Sequence, residues 1–347
     1  MDSDGGDTPS DTLRERAGGS RLKLWLLLDA DRRLVAGLPL VLLFGALVVL
    51  GWLAPVPLRT ITETGDPIET LFQALTTAII TGVTLVVSLN QLVLSQELGP
   101  LGDQRERMEG TEQFRREVAS TLDVPAAPPE PSAFLRALVD GIGTRAERLG
   151  DLADDCDDAD AREHVASYAD SLAANADAVS DALDGEQFGT FRVVSAALNF
   201  NYSWKIYQAR RLRGEYDAVL DDATRDTLES LVETLGFFGP AREHVKTLYF
   251  QWELVNLSRG ILLSAVPALV VSVGSILYLS EPGSVTGSLL GVDALVWVVA
   301  AATAVSLVPF MVLFASVLRV ATVAKRTLSI GSFILRPTDR DESIDWE

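Results

Sequence analysis

The chain has 347 residues, 48 acidic against 29 basic side chains, a formal net charge of −19 and hydrophobic residues at 48% of positions. Apolar sequence gathered into long runs points to a membrane protein, and the acidity excludes nucleic acid as a partner, because a phosphate backbone requires clustered positive charge. A single cysteine, Cys156, excludes an intrachain disulfide and suits a reducing compartment.

Residues 1–20, rich in Asp, Gly, Ser and Thr, read as a disordered tail. Residues 21–33 read as an interfacial helix. The run Leu22 to Leu28 is too short to cross a bilayer and no small-residue cleavage site follows it, while Trp25 favours the headgroup level. Residues 34–98 hold transmembrane helices 1 and 2, the first from Leu34 to Ala54. In the second, Gln73, Thr77, Thr81, Thr84, Ser88, Gln91 and Ser95 recur at spacings of four and three through an otherwise apolar segment. At ~1.5 Å per residue this polar stripe is roughly 33 Å long, the thickness of the hydrocarbon core. Amides and hydroxyls are costly in lipid, so the stripe should face other helices or a water-filled path.

Residues 99–257 read as a helical insert. Its helices run from about Asp103 to Thr121, Ser132 to Leu149, Asp157 to Leu183, Glu186 to Leu212, Asp217 to Leu235, and from Ala241 onward into the third span. Pro125 to Pro131, Gly185, Gly214 and the Gly236 to Pro240 cluster act as stops. The aromatic residues Phe188, Phe191, Phe200, Tyr202, Trp204, Tyr207, Tyr249, Phe250 and Trp252 are expected to fill its core. The acidic run around Cys156 lacks the turn glycine and final glutamate of an EF-hand loop, so it reads as a solvated helix junction. The two histidines, His164 and His244, sit in the repeated pentapeptide Ala-Arg-Glu-His-Val without a second ligand at metal spacing. No metal or cofactor is expected.

Residues 258–318 hold transmembrane helices 3 and 4. The third, Ser258 to Ser280, carries Gly260, Ser264, Ala268 and Ser272 at steady spacings of four, a small-residue surface suited to close helix packing. The fourth, Val292 to Leu318, contains Pro309, and residues 319–347 form a C-terminal tail. Basic residues gather before the first span and after the fourth, whereas the two short connections carry only Arg59. Both termini and the insert are therefore placed on the cytoplasmic side of a cell membrane.

The fold expected is all-α: a polytopic membrane protein with four transmembrane helices in a 2+2 order and a cytoplasmic helical insert between the pairs. Lysine is scarce against Arg, Asp and Glu, a bias similar to that of halophilic archaeal proteins. Gly-x-Ser-x-Gly, Walker, Cys-x-x-Cys and His-Glu-x-x-His motifs are all missing, so an enzyme is not expected. Two readings stand. In one, a homo-oligomer turns the stripe inward to line an ion path, with Glu97 as a charge at the inner mouth. In the other, the stripe is an interhelical seam and the protein is a non-conducting scaffold or sensor, anchored in the lipid bilayer, whose insert meets a cytoplasmic protein partner. The order of spans and insert is similar to that of bestrophin-type anion channels and flagellar-motor stator subunits, a likeness of topology that carries over no residue.

Overall fold

The computed structural model describes residues 32–97, 99–279, 283 and 285–326. The tail 1–20, most of the interfacial segment 21–33, and the C-terminal tail beyond Arg326 lie outside the described residues. The described chain is almost entirely helical. In chain order it comprises α1 (Arg32–Leu53), α2 (Leu58–Thr64), α3 (Pro67–Glu97), α4 (Leu101–Thr121), α5 (Pro131–Asp154), α6 (Ala159–Leu183), α7 (Phe191–Leu198), α8 (Tyr202–Tyr216), α9 (Asp222–Tyr278), β1 (Ser288–Leu289), β2 (Val292–Asp293) and α10 (Ala294–Arg326). Four helices, α1, α3, α9 and α10, are long and apolar enough to cross a membrane.

The chain divides into two compact units. Among the described residues, one comprises residues 100–250 and 324–326, and its 100–250 stretch packs as a helical bundle. α5 and α6 lie against each other and bury Leu135, Leu138, Ile142 and Leu149 with Val165, Leu172 and Val179. The first part of α9 completes this core with Leu228, Leu231, Leu235 and Phe238. Side-chain oxygens start three of its helices. Glu130 accepts from Ala133 N at 2.7 Å, Asp158 from Ala161 N at 2.9 Å, and Asp221 from Thr224 N at 2.8 Å. Each satisfies a backbone donor that the first helical turn would leave unpaired. Asp158 thus gives the acidic run around Cys156 a structural role.

Several expectations for this bundle require correction, among them the stop at Gly214, since α8 runs past it to Tyr216. The helix expected over Glu186 to Leu212 is broken into α7 and α8 at Asn199 to Asn201, because Phe200 turns fully into the core and meets the Phe238 ring edge-on at 4.8 Å. The Gly236 to Pro240 cluster does not stop a helix. α9 runs through it, since the missing side chain of Gly239 makes room for the Tyr202 ring, whose Cε2 would stand 2.8 Å from a Cβ there. Of the aromatic residues assigned to the core, Phe200, Tyr202 and Tyr249 are buried, but Tyr207 and Trp252 are exposed.

The second unit contains residues 32–99 and 251–323, and so all four apolar segments. Glycines mark its close crossings. A Cβ at Gly51 of α1 would stand 2.5 Å from Val296 Cγ1, and one at Gly260 of α9 would stand 3.2 Å from Val312 Cγ1, both on α10. The connection before α10 is an antiparallel pair of two-residue strands, Ser288 opposite Asp293 and Leu289 opposite Val292. Leu290 and Gly291 turn it with positive φ of 54° and 78°, the sign that a two-residue hairpin loop of this hand needs at both positions.

Candidate functional site

The candidate site is the face of α3 that carries the polar stripe, and its surroundings follow from how the other face packs. Phe72, Ile79 and Val86 recur every seven residues and are buried, with Val83 and Asn90 half-buried beside them. At about 100° per residue the stripe lies roughly 140° around the helix from this packed line. Gln73, Thr77, Thr81, Thr84, Ser88, Gln91 and Ser95 are accordingly all turned outward and exposed. The structure brings them together on one surface and turns that surface away from the chain's own helices. Glu97 is the last residue of α3, and its side chain lies outside the described residues.

Four of the hydroxyls on this face bond to their own helix. Thr77 Oγ1 donates to Gln73 O at 2.9 Å, Thr81 to Thr77 O at 2.8 Å, Thr84 to Ile80 O at 2.9 Å, and Ser88 Oγ to Thr84 O at 3.1 Å. Such bonds to the carbonyl four residues back satisfy each donor and leave acceptor lone pairs on the surface. Gln73 Nε2 donates to Glu69 Oε1 at 2.8 Å. The face is thus a neutral, acceptor-rich strip.

The polar contacts between helices lie elsewhere on α3, at residues the stripe does not include. Thr76 Oγ1 is 2.8 Å from Ser272 Oγ, which donates to Phe72 O at 3.0 Å, and Ser258 Oγ donates to Asn90 Oδ1 at 2.7 Å. Thr76 and Asn90 are fourteen residues apart on α3, as Ser272 and Ser258 are on α9 in the opposite direction. The two helices are therefore antiparallel and in heptad register, with the Val83 and Ala265 cluster midway. Of the small residues expected to pack closely, Ala268 and Ser272 are fully buried and Gly260 faces Val312. Ser264 is half-buried, its hydroxyl on Gly260 O at 2.8 Å. The fourteen-residue spacing of Thr76 and Asn90 was a readable signal, overshadowed by the more regular stripe.

The family model that matches the chain covers residues 1–347 and is described as a family of unknown function, DUF7972. The chain belongs to this family. No curated protein and no solved structure matches it.

One further polar element of this DUF7972 chain has no motif in the sequence and joins α2 to the turn before α10. Arg59 of α2 donates from Nε to Asp293 Oδ2 at 2.6 Å and from Nη2 to Oδ1 at 3.1 Å, and also bonds Val285 O. Asp293 in turn accepts from Leu295 N at 2.9 Å and so starts α10. The bidentate pair fixes α2 against the turn before α10. In the bundle, His164 Nδ1 lies 2.7 Å from Asp160 O and 3.0 Å from the Tyr216 hydroxyl. Among the described residues no three His, Cys, Asp or Glu side chains are grouped to hold a metal ion.

Proposed function

We propose that the protein is a multi-pass membrane protein whose copies assemble with the polar face of α3 toward a shared axis, forming a path for small ions. The observation that carries this reading is the outward orientation of the stripe. Seven amide and hydroxyl side chains in a segment of spanning length lie off the packed line of the helix, and lipid is a poor neighbour for them. A second copy, or water held between copies, is a better one. α1, α3, the apolar part of α9 and α10 then cross the membrane in a 2+2 order, with the bundle and both termini in the cytoplasm, as the basic residues near the span ends favour. A neutral acceptor-lined path ending near Glu97 would favour cations.

One observation supports a second reading, that of a non-conducting scaffold or sensor whose bundle meets a protein partner. The stripe hydroxyls already bond their own backbone, which lowers the cost of placing them against lipid or another helix. Cysteine accessibility separates the two. In a Cys156→Ser background, cysteines at Thr77, Thr84 and Gln91 are expected to react with a water-soluble thiol reagent in the assembled protein. Cysteines at Leu85 and Leu89 should not, although these leucines are 61% and 41% exposed on the protomer. Thr84→Phe should then block ion flux in liposomes at high salt without changing assembly. Equal protection at all five positions would remove the ion path and leave the scaffold.

A further inference from the structure

A second feature of the apolar helices is a pocket of about 280 Å³ walled by α1, α2, the first turns of α3 and α10. That volume lies near the lower end of ligand pockets, about 300 Å³. At about 30 Å³ per group, the share of one water in the liquid, it holds roughly nine methylene-sized groups. Its wall is aliphatic: Leu47, Gly51, Ile61, Leu71 and Ala300 are representative, and Thr303 is the one hydroxyl-bearing residue among those that line it. Such a wall offers a polar solute no recognition, because each hydrogen bond the solute left in water would go unreplaced.

We infer that this pocket holds one hydrocarbon chain of a membrane lipid. The inference rests on the proposal that these helices span a bilayer, and three observations narrow the occupant. First, the rim residues Ala54, Val56, Ile61 and Leu71 are exposed and follow directly on the outward apolar surface of α1 at Leu50 and Leu53, so the mouth adjoins the lipid-facing end of that span. Second, Leu71 lies roughly 120° around α3 from the centre of the polar stripe, so the pocket faces away from the surface assigned to neighbouring copies. Third, the pocket sits at the end of the spans where α1 finishes and α3 and α10 begin, the end opposite the side to which the proposed topology assigns the helical bundle. A chain end lying between α1 and α3 would exclude solvent-sized voids from the wall and hold the two helices at a fixed spacing.

Native mass spectrometry of the full-length protein after exhaustive detergent exchange, with a diacyl phospholipid added back as probe, tests this. Wild type should retain about one phospholipid per protomer. Ala54→Trp and Ile61→Trp, which place an indole in the mouth from exposed positions, should lower retention by about tenfold or more. Leu50→Trp, on the last turn of α1 but outside the wall, should retain lipid as wild type does. Carbonate-resistant membrane association and an unchanged melting temperature establish beforehand that each variant is inserted and folded. A protein that carbonate releases from the membrane overturns the spanning proposal and this inference with it. An inserted wild type that keeps no lipid, or equal retention in all four proteins, overturns the pocket's occupant alone.

Discussion

Glu130 shows how much one side chain organises in the bundle. Its carboxylate accepts from the Ala133 N–H at 2.7 Å, from the Phe188 N–H at 3.1 Å and from the Ser132 hydroxyl, joining the start of α5 to the segment that precedes α7. Desolvation pushes this carboxyl up, but the hydrogen bonds from Ser132, Ala133 and Phe188 outweigh it and hold the group below its ordinary value. Because the folded value is depressed, the stabilisation is fully present above the ordinary glutamate range and fades as pH falls through the folded value. Glu130→Gln is expected to destabilise the bundle by about 1 kcal/mol at pH 7, the usual size of a lost helix cap. In paired thermal melts the difference from wild type should shrink at acid pH, and a difference independent of pH would refute the role assigned to the charge. The sequence marks the break with Pro128, Pro129 and Pro131, yet does not single out Glu130, since first-turn donors are usually capped by Ser, Thr, Asp or Asn.

At the scale of elements, periodicity reveals which residues share a face but not what that face meets. The stripe on α3 is regular enough to be read directly, whereas its outward orientation depends on Phe72, Ile79 and Val86 finding α9 and α10. The same limit explains the misplaced stop in α9. Glycine and proline usually end helices, but Gly239 is kept inside this one by the Tyr202 ring, contributed by α8. The ring also lies under the Arg242 guanidinium, 4.8 Å from its centre. The antiparallel register of α3 and α9 can be tested directly. With Cys156→Ser, the pair Val83→Cys and Ala265→Cys should form an intrachain disulfide on mild oxidation, because both residues belong to the cluster midway between the Thr76–Ser272 and Asn90–Ser258 contacts. Thr81→Cys with Ala265→Cys should not, since Thr81 lies on the exposed face. Preferential linking of the second pair would mean that α3 is rotated about its axis, with the stripe turned toward α9.

The charge of the whole molecule sets opposing salt effects against each other, and their sizes decide the outcome. Exposed pairs such as Arg105–Glu109 at 2.6 Å and Arg211–Glu215 at 3.4 Å stabilise helices by about 0–1 kcal/mol each, and salt weakens them. Against them stands a formal net charge of −19, acidic groups in excess of any basic partner, whose mutual repulsion salt relieves. The Debye length falls from about 10 Å at 0.1 M to about 3 Å at 1 M, shorter than the spacing of most surface charges. Because the unpaired excess is larger than the few local pairs, relief of repulsion should win. The melting temperature of the purified protein is expected to rise by about 5 °C or more between roughly 0.2 M and 2 M KCl, without a change in oligomer. Replacing KCl by sucrose separates the causes, since an excluded osmolyte strengthens burial but screens nothing. An equal rise in sucrose would assign the effect to burial, and a fall in KCl would show that the local pairs outweigh the net charge.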